Sequence, residues 1–414
     1  MEMARIFGLP AALLILAVVA NRLSKLTRIP DLIVLLLIGI SVGPVLHWVN
    51  PDIFKGAISI LGTLALILIL FEGGLELRLR QALRYFPAGL LLVVLSFGLS
   101  LGLVALMSRA LLHMQWIDCL LLGAALGCTS GAVVIPALQQ ISAPEPVKIT
   151  LTIESSLGEV LAVLMVGSLL NIGQSSSIVS GMALDFSQHI GVALALGIAA
   201  GVLWWRLFPL LAGQAYSNIL NLGVVTGVYA IGRYFNGSGL LAVLIFGITL
   251  ANLPRSFRMS RQGARLLAFH AEFSFLVRSF FFVVLGVVAE VVHRDRIIPI
   301  LGILAALLLA RFLAVQCSRR AVRDVSRKDT ELLFWMMPRG LVTAVLALEI
   351  VAARGPAFSF LPAMAFTVVL ITNLFIVWGS VRASKTAGGE SPPEPGVEVA
   401  SLQPQVNSAA VGQS

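Results

Sequence analysis

The sequence predicts an all-α polytopic membrane protein with about 13 transmembrane helices. Of its 414 residues, 58% are hydrophobic and only 12% are charged, whereas soluble proteins carry about 25% charged residues. So much apolar surface requires a lipid bilayer as its solvent. A transmembrane helix needs roughly 20 apolar residues. Thirteen apolar stretches have about this length, and they lie at 6–23, 31–49, 57–75, 87–112, 116–139, 147–171, 189–211, 216–234, 239–254, 266–291, 297–318, 330–352 and 358–381.

These stretches predict a transmembrane domain at 1–383 and a tail at 384–414. The tail is rich in Pro, Gly, Ser and Gln, a composition typical of disordered chain. Loops on one side hold 19 Lys and Arg against six on the other. The excess of basic residues marks the cytoplasmic side, so we expect the N-terminus outside and the C-terminus in the cytoplasm. The Arg to Lys ratio of 24 to 5 favours a bacterial inner membrane.

Other function classes find little support. The net charge is +9, and the basic residues that produce it lie in short loops. This distribution is typical of residues that orient a membrane protein, so we expect no nucleic-acid partner. The three cysteines, at 119, 128 and 317, lie in apolar stretches and form neither a disulfide framework nor a metal spacing. No phosphate loop, nucleophile elbow or H-E-x-x-H motif is present, so we expect neither a cofactor nor an enzyme.

An inverted repeat is predicted from the order of the spans. If spans 1–6 and 8–13 are repeats offset by seven, they insert with opposite orientation, as in many secondary transporters. Span 5 then matches span 12. Both carry irregular Gly- and Pro-containing stretches, G-C-T-S-G-A-V-V-I-P at 127–136 and M-M-P-R-G-L-V-T at 336–343. Such paired, interrupted spans point to a binding site at the membrane midplane, and we expect two discontinuous helices that cross there.

Three charges lie within stretches that otherwise read as lipid-buried helix: Glu154, Glu159 and Arg339. A charge at the bilayer centre costs roughly 2.5–3.5 kcal/mol on insertion scales, so it usually has a partner or a transport role. The two glutamates are five residues apart and therefore point about 140° apart on a helix. They cannot share one face, which suggests different roles.

Glu159 is the candidate site for a cation or a proton. Ser155 and Ser156 precede it by four and three residues, so both hydroxyls can lie near its carboxylate. Oxygen ligands suit Na⁺ or K⁺, and desolvation disfavours the charged form of a carboxylate, which promotes proton uptake. A carboxylate that holds either ligand but not both makes cation and proton compete.

Glu154 needs a different partner, and Arg339 is the predicted one. We expect a buried Glu154–Arg339 ion pair that holds span 6 against the crossing helices. Arg278 could line a cavity or extend to the membrane interface. Arg311 could extend to the interface or form an ion pair. Glu72 is expected in solvent, or at the border of an inward funnel.

At these residues the chain resembles the monovalent cation:proton antiporter superfamily, and within it the electroneutral sodium/proton exchangers. Six segments carry the resemblance in order over nearly all of 1–382. They are R-I-P-D-L-I-V-L-L-L-I-G-I-S-V-G-P, L-F-E-G-G-L-E-L, E-S-S-L-G-E-V, G-S-G-L-L-A-V-L-I-F-G-I-T-L-A-N, F-F-F-V-V-L-G and P-R-G-L-V-T-A-V-L-A-L.

The resemblance implies the inverted-repeat antiporter fold, with a core domain and a panel that forms a homodimer. It places Glu159 at the family's cation-binding aspartate and Thr129 and Ser130 at the crossover Thr-Asp pair. Glu154 and Arg339 fall on the family's ion pair. Two departures concern the site itself: the family's Asn-Asp is Gly158-Glu159 here, and its crossover aspartate is Ser130.

The predicted function is therefore exchange of Na⁺ or K⁺ for H⁺ through one buried carboxylate. A transporter of another solute on the same fold is the first alternative, because the Asn and Asp are replaced. A non-transporting membrane sensor or assembly subunit is the second. A channel would not need a titratable group at the midplane, so it is a weaker alternative.

Overall fold

All regular secondary structure in the part described by the computed structural model is helical. That part comprises residues 8, 11–12, 14–22, 31–49, 54, 57–77, 79–140, 143–170, 178–211, 216–253, 261–289, 294–319 and 327–386. Residues 14–22 are helical. The helices after them are α1 (Asp31–Ile40), α2 (Ala57–Glu76), α3 (Leu79–Leu112), α4 (Trp116–Gly127), α5 (Gly131–Gln140), α6 (Glu145–Leu170), α7 (Ile178–Leu211), α8 (Ser217–Tyr234), α9 (Gly239–Asn252), α10 (Arg261–Val287), α11 (Ile297–Ser318), α12 (Arg327–Trp335), α13 (Leu341–Arg354) and α14 (Leu361–Thr386).

Within the described ranges, seven helical stretches are long and apolar enough to cross a membrane, and three shorter apolar helices accompany them. The chain is thus a multi-pass membrane protein. The total of 13 spans stays a prediction, as does the division at residue 383. The tail from 387 to 414 lies outside the described residues.

Both interrupted helices occur where the sequence predicted them. The first break, at 128–130, separates α4 from α5, and the second, at 336–340, separates α12 from α13. In the second break Pro338 has no N–H to continue a helix. In the first, however, Pro136 lies inside α5. The chain instead leaves the helix at Cys128, whose backbone is extended (φ −83°, ψ 143°).

Two close glycine contacts follow the predicted repeat. Gly39 of α1 packs on Gly286 of α10, and Gly74 of α2 packs on Gly247 of α9. Under the offset of seven, α1 matches α9 and α2 matches α10, so each contact is the counterpart of the other. A Cβ at Gly39 would lie 2.7 Å from the Gly286 Cα, and small residues permit this approach of two backbones.

The polar centre of the molecule lies between α3, α6, α11 and the two breaks. Helix α3 packs against α11 and α6, and α6 also packs against α4, α5 and α13. Apolar side chains of these helices form one continuous core. Four charged side chains within that core, Glu154, Glu159, Arg311 and Arg339, are each 1% exposed.

Candidate cation-binding site

The two breaks meet each other directly. The Ser130 N–H donates to the Pro338 carbonyl at 2.8 Å, and a Cβ on Gly340 would lie 2.7 Å from the Ser130 Cβ. Helix α14 satisfies other backbone groups of the second break, because the Asn373 amide donates to the Arg339 carbonyl at 2.8 Å. Irregular backbone in a membrane requires such partners, and here protein groups supply them.

Glu154 forms its ion pair with Arg311. The Arg311 Nη1 lies 2.8 Å from the Glu154 Oε1, and both side chains are 1% exposed. The guanidinium also donates to the carbonyls of Leu333 and Met336 at the end of α12. A cation is favourable at that position because unpaired carbonyls and the helix dipole make a helix C-terminus negative. Arg311 thus fixes both α6 and the second break.

The prediction of a direct Glu154–Arg339 pair is wrong in its partner. Arg339 Nη1 donates to the Thr129 hydroxyl at 3.2 Å, and that hydroxyl donates to the Glu154 Oε1 at 2.8 Å. One hydroxyl therefore separates the two charges. The physical reason is that Arg311 reaches the Glu154 carboxylate from α11 and occupies the direct position.

Glu159 belongs to α6, and its carboxylate lies at the N-terminus of α5. Its Oε1 accepts a hydrogen bond from the Gly131 N–H at 2.9 Å and one from the Ser130 hydroxyl at 3.3 Å. The first turn of a helix offers free N–H groups and the positive end of its dipole, so the break itself orients this carboxylate. Among the described residues, the Glu159 Oε2 has no hydrogen-bond partner, although the side chain is 1% exposed.

The predicted serines divide between two surroundings. The Ser155 Oγ and the Glu159 Oε2 both face Gly131, since a Cβ built there would lie 3.5 Å and 3.6 Å from them. Ser155 donates to the Thr152 carbonyl at 3.3 Å, which leaves the lone pairs of its oxygen for another ligand. Ser156 instead faces Gly73 of α2, whose Cβ position is 3.7 Å from its Oγ.

The Thr129 side chain is already bound to two charged groups, which leaves at most one lone pair of its oxygen for a cation. Its hydroxyl donates its single proton to Glu154 and accepts from Arg339. Gly158 faces this backbone, and a Cβ built on it would lie 3.9 Å from the Thr129 nitrogen, an ordinary van der Waals contact. Hence the side-chain oxygens that surround the Gly131 end of α5 are those of Glu159, Ser155 and Ser130.

A cavity of about 150 Å³ adjoins this end of α5. Helices α2, α5 and α10 line it, and its polar side chains are Glu72, Ser274 and Arg278. The Ser274 hydroxyl forms a hydrogen bond with the Glu72 carboxylate, and the positive charge of Arg278 attracts that carboxylate. Arg278 therefore lines a cavity, which was one of the two positions predicted for it. Glu72 borders this cavity, which was its less favoured position.

Arg311 and Glu72 each carry a signal in the sequence. Arg311 lies in the middle of an apolar stretch, 297–318, so the same insertion cost that marked Arg339 applied to it. Glu72 follows 16 residues without a charge, 56–71. What the sequence did not contain was which carboxylate each arginine would meet.

Comparisons with known proteins agree with this architecture. The sequence profile described as "Sodium/hydrogen exchanger, transmembrane" matches residues 11–382. That match covers most of the chain. The chain belongs to the sodium/hydrogen exchanger family. The resemblance drawn from six short segments is thereby confirmed.

Individual relatives support the assignment. The "K(+)/H(+) antiporter NhaP2" of Shewanella sp. strain ANA-3 is 30% identical over 94% of this chain and 68% of its own length. The "Na(+)/H(+) antiporter 1" of Methanocaldococcus jannaschii is 25% identical over 84% of each chain. A solved structure of the sodium proton antiporter MjNhaP1 from that organism aligns with a TM-score of 0.79, at 24% identity, over 95% of this chain and 100% of the other. This likeness shows a shared fold, and it confirms the predicted inverted-repeat antiporter architecture.

Proposed function

We propose that this chain exchanges Na⁺ or K⁺ for H⁺ across the membrane, and that both ligands compete for Glu159. The family and the names of its relatives support cation/proton exchange. The observation that carries the site assignment is a buried carboxylate whose two oxygens differ. Oε1 is held by neutral donors, whereas Oε2 faces Gly131 beside the Ser155 hydroxyl.

The proposed mechanism needs only that difference. Because the groups on Oε1 are neutral, they orient the carboxylate without cancelling its charge. A proton or a cation at Oε2 cancels it, and each excludes the other. Ser155 and Ser130 supply further oxygens, the ligand type that hard cations prefer. If the core changes its access only with Glu159 neutralised, competition becomes exchange.

The remaining buried charges form a frame around this carboxylate. Glu154, Arg311 and Arg339 are each 1% exposed and are joined through Thr129. With Glu159 charged, two carboxylates face two guanidinium groups. The frame is structural in this proposal: it holds the two breaks together while only Glu159 changes its ligand.

Access and assembly are further parts of the proposal. The cavity beside Gly131 serves as the route from the cytoplasm, because the ends of α2 and α5 and the start of α10 adjoin loops of the basic side. The orientation has the N-terminus outside, the C-terminus in the cytoplasm and the chain in a bacterial inner membrane as a homodimer. The division into a transmembrane domain at 1–383 and a tail at 384–414 is also part of the proposal.

Reconstitution in proteoliposomes tests the site. An imposed Na⁺ or K⁺ gradient should drive proton movement, read by an internal pH-sensitive dye. Glu159→Gln should abolish it, because an amide exchanges neither ligand. Glu349→Gln, on the exposed side of α13, is the matched control and should keep wild-type rates. Full exchange by Glu159→Gln, in protein that elutes as the wild type does, would disprove the site.

Stoichiometry has its own test. One carboxylate that alternates between one cation and one proton moves no net charge. Exchange rates should therefore be equal at 0 and −100 mV, a potential worth about 2.3 kcal/mol per net charge moved. A rate that depends steeply on the clamped potential would contradict one-for-one exchange.

Ser130 favours a second candidate, a transporter of another solute. A neutral hydroxyl stands where the resemblance implies a carboxylate, so the site can hold one positive charge fewer. A counter-flow screen with organic solutes separates this candidate from cation exchange. A sensor or assembly subunit would give no flux with any solute and would tolerate Glu159→Ala.

A further inference from the structure

Among the described residues that line the cavity beside Gly131, Arg278 is the positive side chain and Glu72 the negative one. Both lie on the proposed path of the transported cation. A guanidinium stays charged at any physiological pH. It therefore opposes every cation that enters, and its presence on this path calls for an explanation.

The local sequence of α5 explains where Arg278 is held. Pro136 has no N–H, so the carbonyl four residues earlier, that of Ala132, loses its helical donor. Arg278 Nη1 reaches this carbonyl at 3.4 Å. Ser274 lies one turn earlier on the same face of α10 and lines the same cavity. The guanidinium is thus held at the first turn of α5, in the lining of the cavity that also contains the Glu72 carboxylate.

We propose that Arg278 is a tethered cation that competes with the transported cation for the cavity and so sets the affinity of the exchanger. The proposal rests on cation exchange at Glu159, the function proposed above. While Arg278 neutralises Glu72, the cavity attracts cations weakly and releases them readily. Arg278 thus determines affinity through the electric field in the cavity and does not distinguish one monovalent cation from another.

The expected effect follows from Coulomb's law. At an effective dielectric constant of about 20, a unit charge changes the affinity for a cation about tenfold even at a separation of about 12 Å. Arg278→Gln removes the positive charge and leaves Glu72 uncompensated. The apparent KM for the cation should then fall about tenfold, and the maximal rate should fall as well, because a more tightly held cation leaves more slowly.

The experiment measures KM and maximal rate in proteoliposomes for three variants. Arg278→Gln should show the fall in both values. Arg278→Lys retains the charge and should keep KM within about threefold of the wild type. In Glu72→Gln/Arg278→Gln the cavity is again neutral, so KM should return towards the wild-type value. The double variant separates a charge effect from loss of the contact with Ala132.

Three outcomes would overturn the proposal: an unchanged or higher KM in Arg278→Gln, a KM in the double variant equal to that of Arg278→Gln, or the same fall in Arg278→Lys. Cation-induced thermal stabilisation of the purified proteins, titrated with NaCl or KCl against choline chloride, gives affinities without transport. If the wild type bound cations but exchanged none, the proposed function would fail, and the order of these affinities would still decide the role of Arg278.

Discussion

Replacing Arg311 by Met tests the buried ion pair most directly. The change removes the guanidinium 2.8 Å from Glu154 and keeps an unbranched apolar side chain in its place. An uncompensated buried carboxylate costs about 3–5 kcal/mol. The carbonyls of Leu333 and Met336 also lose side-chain donors, at about 1–3 kcal/mol for each buried group left unsatisfied. We therefore expect Arg311→Met to be strongly destabilised.

Thermal unfolding in detergent, followed by the fluorescence of the six tryptophans, measures the loss. At about 2 °C per kcal/mol for a large domain, the charge contribution alone lowers the apparent Tm by about 6–10 °C. Glu154→Gln/Arg311→Met should recover that contribution. It should not recover the loss at the two α12 carbonyls, which no group in the double variant replaces.

Arg339→Met is the matched comparison, because Glu154 keeps its direct partner in that variant. Its loss of stability should be less than half that of Arg311→Met. The reasoning is refuted if Arg339→Met loses as much stability as Arg311→Met, or if Glu154→Gln/Arg311→Met is no more stable than Arg311→Met. Either result would mean that Arg339 is the principal counter-ion after all.

Two further predictions concern packing. Gly286→Ala should lower the apparent Tm and the yield of folded protein, since its Cβ would lie 2.5 Å from the Leu36 carbonyl oxygen. Gly98→Ala is the control and should behave as the wild type, because a Cβ there meets nothing within 4 Å. Equal effects of the two substitutions would contradict the close packing of α1 on α10. Asn252→Leu should destabilise the turn between α2 and α3 by about 1–2 kcal/mol, because its amide donates to the Leu77 carbonyl and accepts from the Leu79 N–H. Hydrogen exchange at 77–82 would measure this, and unchanged protection would refute it.

Much of the fold was predictable because a bilayer imposes simple rules. Long apolar stretches must be helices, and an irregular stretch at membrane depth must be buried in protein. Together with the Gly and Pro residues, those rules predicted irregular stretches at 127–136 and 336–343, within which the structure has breaks at 128–130 and 336–340. They also singled out Glu154, Glu159 and Arg339 by the cost of a buried charge. The exact break in the first crossing helix was less predictable, because Pro136 is a stronger signal than Cys128 yet lies within α5.

The sequence by itself determined that this is a membrane protein with an inverted repeat and a few costly charges at the centre. The tertiary structure decided which charges meet. Glu154 pairs with Arg311, Arg339 reaches it through Thr129, and Arg278 contacts the α5 carbonyl that Pro136 leaves free. The reason is physical: the cost of burying a charge depends on its own surroundings and is visible along one span. Its partner depends on the packing of helices more than 100 residues apart.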